Sequence, residues 1–129
     1  MNHVERFNLT FREFMTDLEK VLPADGKLRF YRMVIASAIM VNPTWVQSQF
    51  HQRVALVYGD RLLAKDDSFF LDHDYAEVKD THPNAETIIQ KIKECWSTLS
   101  AENRDIVWKY IRILVHLCRK IQCGIGGQT

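Results

Sequence analysis

The chain reads as an all-α protein, a single-domain bundle of about five helices with a long C-terminal helix, and three observations predict it. Apolar residues recur at the 3.6-residue helical period in every strong segment, those segments carry a capping residue or a proline or glycine stop, and no alternating run or hairpin turn competes. A chain of 129 residues with 47% hydrophobic and 26% charged side chains can bury one core without metal or disulfide staples. The expected division is residues 1–8 as an N-terminal lead-in, 60–84 as an acidic connection and 124–129 as a tail.

The first helix is expected to open at Thr10-Phe-Arg-Glu13, a capping-box spacing in which Leu9 and Phe14 are placed to staple the entry. Phe11, Phe14, Met15, Leu18, Val21 and Leu22 follow as its apolar stripe, and Pro23 ends it. The second stripe, Leu28, Tyr31, Ile35, Ala38 and Ile39, breaks off before Pro43 and marks the helix expected to be most buried. Asn42-Pro43 then reads as a start signal for a third helix to about Tyr58, with Val46, Phe50, Val54 and Val57 inward and Gly59 as its stop. Residues 60–84 show no sustained period and predict a turn or two of helix within a connection. Asn84 opens a fourth helix carrying Ile88, Ile89, Ile92, Cys95, Trp96 and Leu99. Ser100 caps the fifth, whose inner band is Ile106, Val107, Tyr110, Ile111, Leu114, Leu117, Cys118 and Ile121, with Trp108 also expected in the core.

Charge and motif content exclude several function classes. Seventeen basic and sixteen acidic side chains leave a net charge of +1, so no overall field draws the chain to nucleic acid or anionic lipid. The N-terminus lacks a secretory pattern, and the apolar run Met33 to Val41 falls far short of a membrane span, so the expectation is an intracellular protein, neither secreted nor membrane-bound. Cys95, Cys118 and Cys123 read as thiols of a reducing compartment. His116, Cys118 and Cys123 have zinc-compatible chemistry, yet positions 116 and 118 lie about 200° apart around a helix. Asp72-His-Asp74 starts like a calcium loop but has Glu77 and Pro83 where glycine and the closing glutamate belong. Gly124-Ile-Gly-Gly127 follows a helix and has no strand before it, unlike a phosphate-binding loop. No cofactor and no catalytic residue is assigned, and no stoichiometric zinc, calcium or nucleotide is expected.

Two surface features of opposite sign remain. Residues 60–80 hold seven acids against three bases, a net of −4, and residues 101–122 hold two acids against five bases, a net of +3. They are either solvated surfaces facing each other within one chain or a bipolar docking module. On the docking reading the candidate partner-binding residues are Asp66, Asp67, Phe69 and Phe70 in the acidic stretch and Lys109, Arg112, Arg119 and Lys120 on the last helix. On the other reading the Phe69-Phe70 pair pins a loop to its own core.

The run Ile92-Lys-Glu-Cys-Trp96-Ser-Thr-Leu99-Ser-Ala-Glu-Asn103, with Ile106-Val-Trp108-Lys-Tyr110-Ile and Leu114-x-x-Leu117 after it, resembles small uncharacterised helical proteins of large double-stranded DNA viruses of algae. Phe14-Met-Thr-Asp-Leu18, Asn42-Pro43 and Lys65-Asp-Asp-Ser-Phe-Phe-Leu71 extend the resemblance over most of the chain. The resemblance implies a setting, an infected cell or a virion, and no activity. The expected function is therefore a non-enzymatic protein–protein interaction or structural role, as a virion component or host-interaction adaptor, with a protein partner or self-association. The alternative is nucleic-acid binding through the basic face of the C-terminal helix.

Overall fold

Asn2 starts the first helix, eight residues before Thr10. In the computed structural model, which describes residues 2–22, 27–71 and 85–126, the Asn2 Oδ1 accepts the Glu5 backbone N–H at 2.8 Å, and its Nδ2 donates to the Glu5 side chain at 3.0 Å. The helix, α1 (His3–Val21), thus takes in residues expected to be a lead-in, and Thr10 lies in its interior. Burial explains the choice, because Phe7 and Asn8 join Phe11, Phe14, Met15 and Leu18 on one continuous buried stripe. Leu9, expected as a staple, faces outward.

Helix α7 (Ala101–Gly126) is the central post, and its contact with α1 is the most extensive between any two elements. Ser100 caps it as expected, its Oγ accepting the Asn103 N–H at 3.1 Å. Val107, Trp108, Ile111, Leu114, Leu117 and Cys118 are buried, together with Val115, whereas Ile106 is partly exposed. The helix runs on through Gly124 to Gly126, residues expected to belong to a tail.

Helix α2 (Lys27–Val41) packs on α1 through Leu28, Tyr31 and Ile35. It was expected to be the most buried helix, and it is not. Phe30, Met33, Met40 and Val41 are 56%, 58%, 85% and 86% exposed on its other side. At the following turn Asn42 Oδ1 accepts from the Thr44 N–H at 3.3 Å and from its hydroxyl at 3.0 Å, and the buried Asn8 of α1 donates to the Pro43 carbonyl at 2.8 Å.

From Trp45 to Leu63 the chain follows one helical path in three pieces: α3 (Trp45–Phe50), a π turn (His51–Ala55) and α4 (Leu56–Leu63). The π turn adds one residue to the path and delays every later position by about 100°. Val46, Phe50 and Val54 are buried as expected, but the stripe then passes to Ala55, Gly59 and Leu62, leaving Val57 62% exposed. Gly59 is no helix stop. A Cβ there would stand 3.0 Å from the Arg119 guanidinium, so the missing side chain admits Arg119 of α7. The true end follows Leu63, where Lys65 takes a left-handed backbone (φ 55°). Asp66 N–H reaches the Arg61 carbonyl at 3.0 Å and Lys65 N–H the Leu62 carbonyl at 3.2 Å, the bond pair of a Schellman closure.

A short helix, α5 (Ser68–Leu71), then precedes α6 (Ala85–Cys95), a 3₁₀ turn at Trp96–Thr98, and the Ser100 cap. Ile88, Ile89, Ile92, Trp96 and Leu99 are buried as expected, and Cys95 is partly covered. The expected cap at Asn84, the stop at Pro23 and the Asp72-His-Asp74 motif lie outside the described residues. Among the described residues there is no strand, and no helix is long and apolar enough to cross a membrane.

Leu114 is fully enclosed and Ile113 beside it is not. Truncating Leu114 to alanine is expected to cost about 2–5 kcal/mol and Ile113→Ala distinctly less, as read by urea unfolding of both variants. Lys65→Gly should act in the opposite direction. Relief of the left-handed backbone raises stability by about 1 kcal/mol in the same measurement, and a loss would show that the lysine side chain holds this turn.

Candidate functional site

The residues singled out in the acidic stretch turn inward. Phe69 and Phe70, candidate partner anchors on the docking reading, are buried, as expected of a pair that pins its segment to the chain's own core. Phe70 stacks on Trp96 with ring centroids 4.3 Å apart and meets Trp108 edge-on at 5.0 Å, while Phe69 packs on Tyr58 at 5.1 Å. Asp67 accepts the Trp108 indole N–H at 2.9 Å, a bond that pins α5 to α7. Asp66 accepts from the Ser68 hydroxyl at 2.6 Å and from Arg61 Nε at 3.1 Å. These hydrogen bonds, Ser68 first, hold its carboxyl below the ordinary carboxylate range. Both aspartates therefore build the α5 turn. The further acids Asp72, Asp74, Glu77 and Asp80 lie outside the described residues.

Lys109, Arg112, Arg119 and Lys120 of α7 are exposed as the helical spacing requires, but they divide. Arg119 pairs with Asp60 of α4 at 2.8 Å, so one point of contact between the two charged regions lies within the chain. Lys109 and Arg112 instead line a cleft of about 300 Å³ with Lys65, His116, Asp105 and the edge of Trp108. Four basic or imidazole side chains against one acid make this recess cation-rich. His116 and Cys118 part company, the histidine exposed and the thiol buried. Burial pushes the Cys118 thiol up to about 11, opposed by a hydrogen bond from Gln47, so it stays protonated and unreactive.

A larger recess of about 520 Å³ lies between α1, α2 and α7, lined by Arg12, Glu13, Asp17, Arg32 and Tyr110 among others. Two of its four charged side chains are committed. Arg32 pairs with Glu19, and the Tyr110 hydroxyl donates to Asp17. Among the described residues no group of three His, Cys, Asp or Glu side chains is placed to hold a metal ion.

The surface that sequence reasoning missed is the outward face of α2. Around a helix, Met40, Met33, Ser37, Phe30, Val41 and Val34 fall within an arc of about 120°, opposite the arc that holds Leu28, Tyr31, Ile35 and Ile39. The signal was present as a second apolar stripe in the same helix. Both stripes together read as a helix buried all round, the usual state of such a sequence. Compared with protein-family models, with curated proteins and with solved structures, the chain matches none.

The recess makes one prediction. Burial, the Asp17 hydrogen bond and the nearby carboxylates push the Tyr110 phenol up to about 12 from 10.0. The folded chain thus holds this proton more tightly than the unfolded chain, so its contribution to stability is complete below pH 10 and is lost as the pH rises through about 12. Melting temperatures followed over that window should fall less steeply for Tyr110→Phe than for the natural chain. Parallel curves would place the phenol proton elsewhere.

Proposed function

We propose that this protein works by protein–protein contact, without catalysis, and that the outward face of α2 is the contact surface. The observation that carries the reading is a helix apolar on two opposite faces with only one of them covered. Phe30, Met33, Met40 and Val41 lie exposed along one face with only Ser37 between the two pairs, and apolar faces of this kind mark places where another macromolecule docks. Aromatic and methionine side chains also suit a contact core, the one for its rigid area and the other for its adaptable packing. The resemblance to proteins of algal viruses supports a partner in a virion or an infected cell.

A second reading has its own support. Lys65, Lys109, Arg112 and His116 line one recess, a grouping of cations suited to phosphates along a nucleic-acid strand.

The two readings separate on salt. Co-purification from the native source at physiological salt is expected to recover a defined protein with the natural chain and to lose it with Met40→Glu, a change at a position already 85% exposed. Binding to duplex or single-stranded DNA that weakens steeply on a log–log salt plot, and that Arg112→Glu abolishes, would favour the nucleic-acid reading instead.

A further inference from the structure

We propose that the outward face of α2 is covered by the same face of a second copy of this chain, the two helices running antiparallel about a two-fold axis that passes between Ile35 and Ala36. The inference rests on the reading of α2 as a contact surface and names what lies on it.

Side-chain size along the face is the first argument. A two-fold axis between residues 35 and 36 sets each Phe30 against Val41 of the second copy, and each Val34 against its Ser37. Large side chains then meet at both ends, while the small Ser37 near the middle lets the helix axes approach to the usual 8–10 Å. The face is self-complementary, the requirement for an isologous contact.

Charge fixes the direction. The first turn of α2 carries Lys27 and Arg29 and no acid, and its last turn carries no base. Parallel pairing would bring the exposed Arg29 against its own copy. Antiparallel pairing carries Arg29 to Asn42 of the second copy, beside the C-terminal carbonyls of that helix, the negative end of its dipole. Within α2 the first turn holds no acid and the last turn no base, and antiparallel pairing brings each end against the opposite end of the other copy.

Area sets the strength. Taking about 200 Å² for a fully exposed large side chain, the four principal residues present roughly 550 Å² per copy, so a pair removes about 1,100 Å² from water. That lies just below the range of about 1,200–2,000 Å² typical of specific complexes. The proposal is a reversible dimer that dissociates between about 5 μM and about 500 μM, monomeric when dilute.

Sedimentation equilibrium of the full chain from about 5 μM to about 500 μM brackets that affinity. The average mass is expected to climb from one chain toward two, and Met33→Glu should hold it near one chain throughout, a weakening of at least about tenfold. Met33 is already 58% exposed, so the variant should keep the far-ultraviolet spectrum and melting temperature of the dilute natural chain. Direction is read by mild oxidation of a Phe30→Cys and Val41→Cys mixture, with Cys95, Cys118 and Cys123 replaced. Cross-links between the two different variants support the antiparallel pair. Cross-linking of each variant to itself overturns it, as does a natural chain that remains at one-chain mass at the highest concentration. If the natural chain stays monomeric while Met40→Glu still abolishes co-purification of a different protein, the second copy is the wrong occupant and the contact reading stands. If Met40→Glu has no effect there either, both fail.

Discussion

The seam between α1 and α7 is the constraint on which the remaining elements depend. Phe14 lies flat on Tyr110 with ring centroids 5.0 Å apart, and the hydroxyl of the same tyrosine reaches Asp17 one turn further along α1. One residue thus sets both the apolar contact and the axial position of the two helices. With these long helices locked in register, Phe7 at the start of α1 meets Phe50 of α3 at 5.5 Å, and Val115 and Arg119 on α7 are presented to α4. The other helices fill sides of a frame that already exists.

Around that frame, isolated polar contacts inside apolar surroundings decide where each connecting segment sits. Asn8 holds the turn at Pro43, Gln47 reaches Cys118 across 3.6 Å, Asp67 receives Trp108, and Arg104 donates twice to the Trp96 carbonyl at 2.9 and 3.1 Å. Hydrophobic burial is non-directional, so it favours many arrangements of short helices on a common core. A hydrogen bond made away from water is costly to leave unmade and admits few arrangements. Each of these four joins residues on different elements, and each joins a buried or partly buried group.

Helix content was legible in the sequence because apolar period and caps such as Ser100 act locally. Boundaries were legible only where no stronger signal competed. Thr10 has the right spacing for a cap, but it lies within a stripe that Phe7 extends upstream, and Asn2 offers an equally good cap before it. Val57 fits an ideal helical face and still points to water, because no local pattern announced the π turn. Phe69 and Phe70 carried two readings at the level of sequence, and the distance in sequence between Phe70 and Trp108 is why their stacking was not visible there. The α2 face is the opposite case. Its composition was plain, and what it lacked was any sign that only one of its two stripes would find a place within the chain.

The π turn at His51–Ala55 has a consequence for how the gene can change. Such a turn is geometrically a helix that has absorbed one inserted residue without rotating its flanks. Excising one codon within this stretch lets the path relax to ordinary α geometry, with Phe50 on one side and Gly59 and Leu62 on the other keeping their present faces. The same excision within α1 or α7 swings everything beyond it by about 100° and carries a whole stripe out of the core. Among the described helices, tolerance to a one-residue deletion is therefore greatest in these five residues.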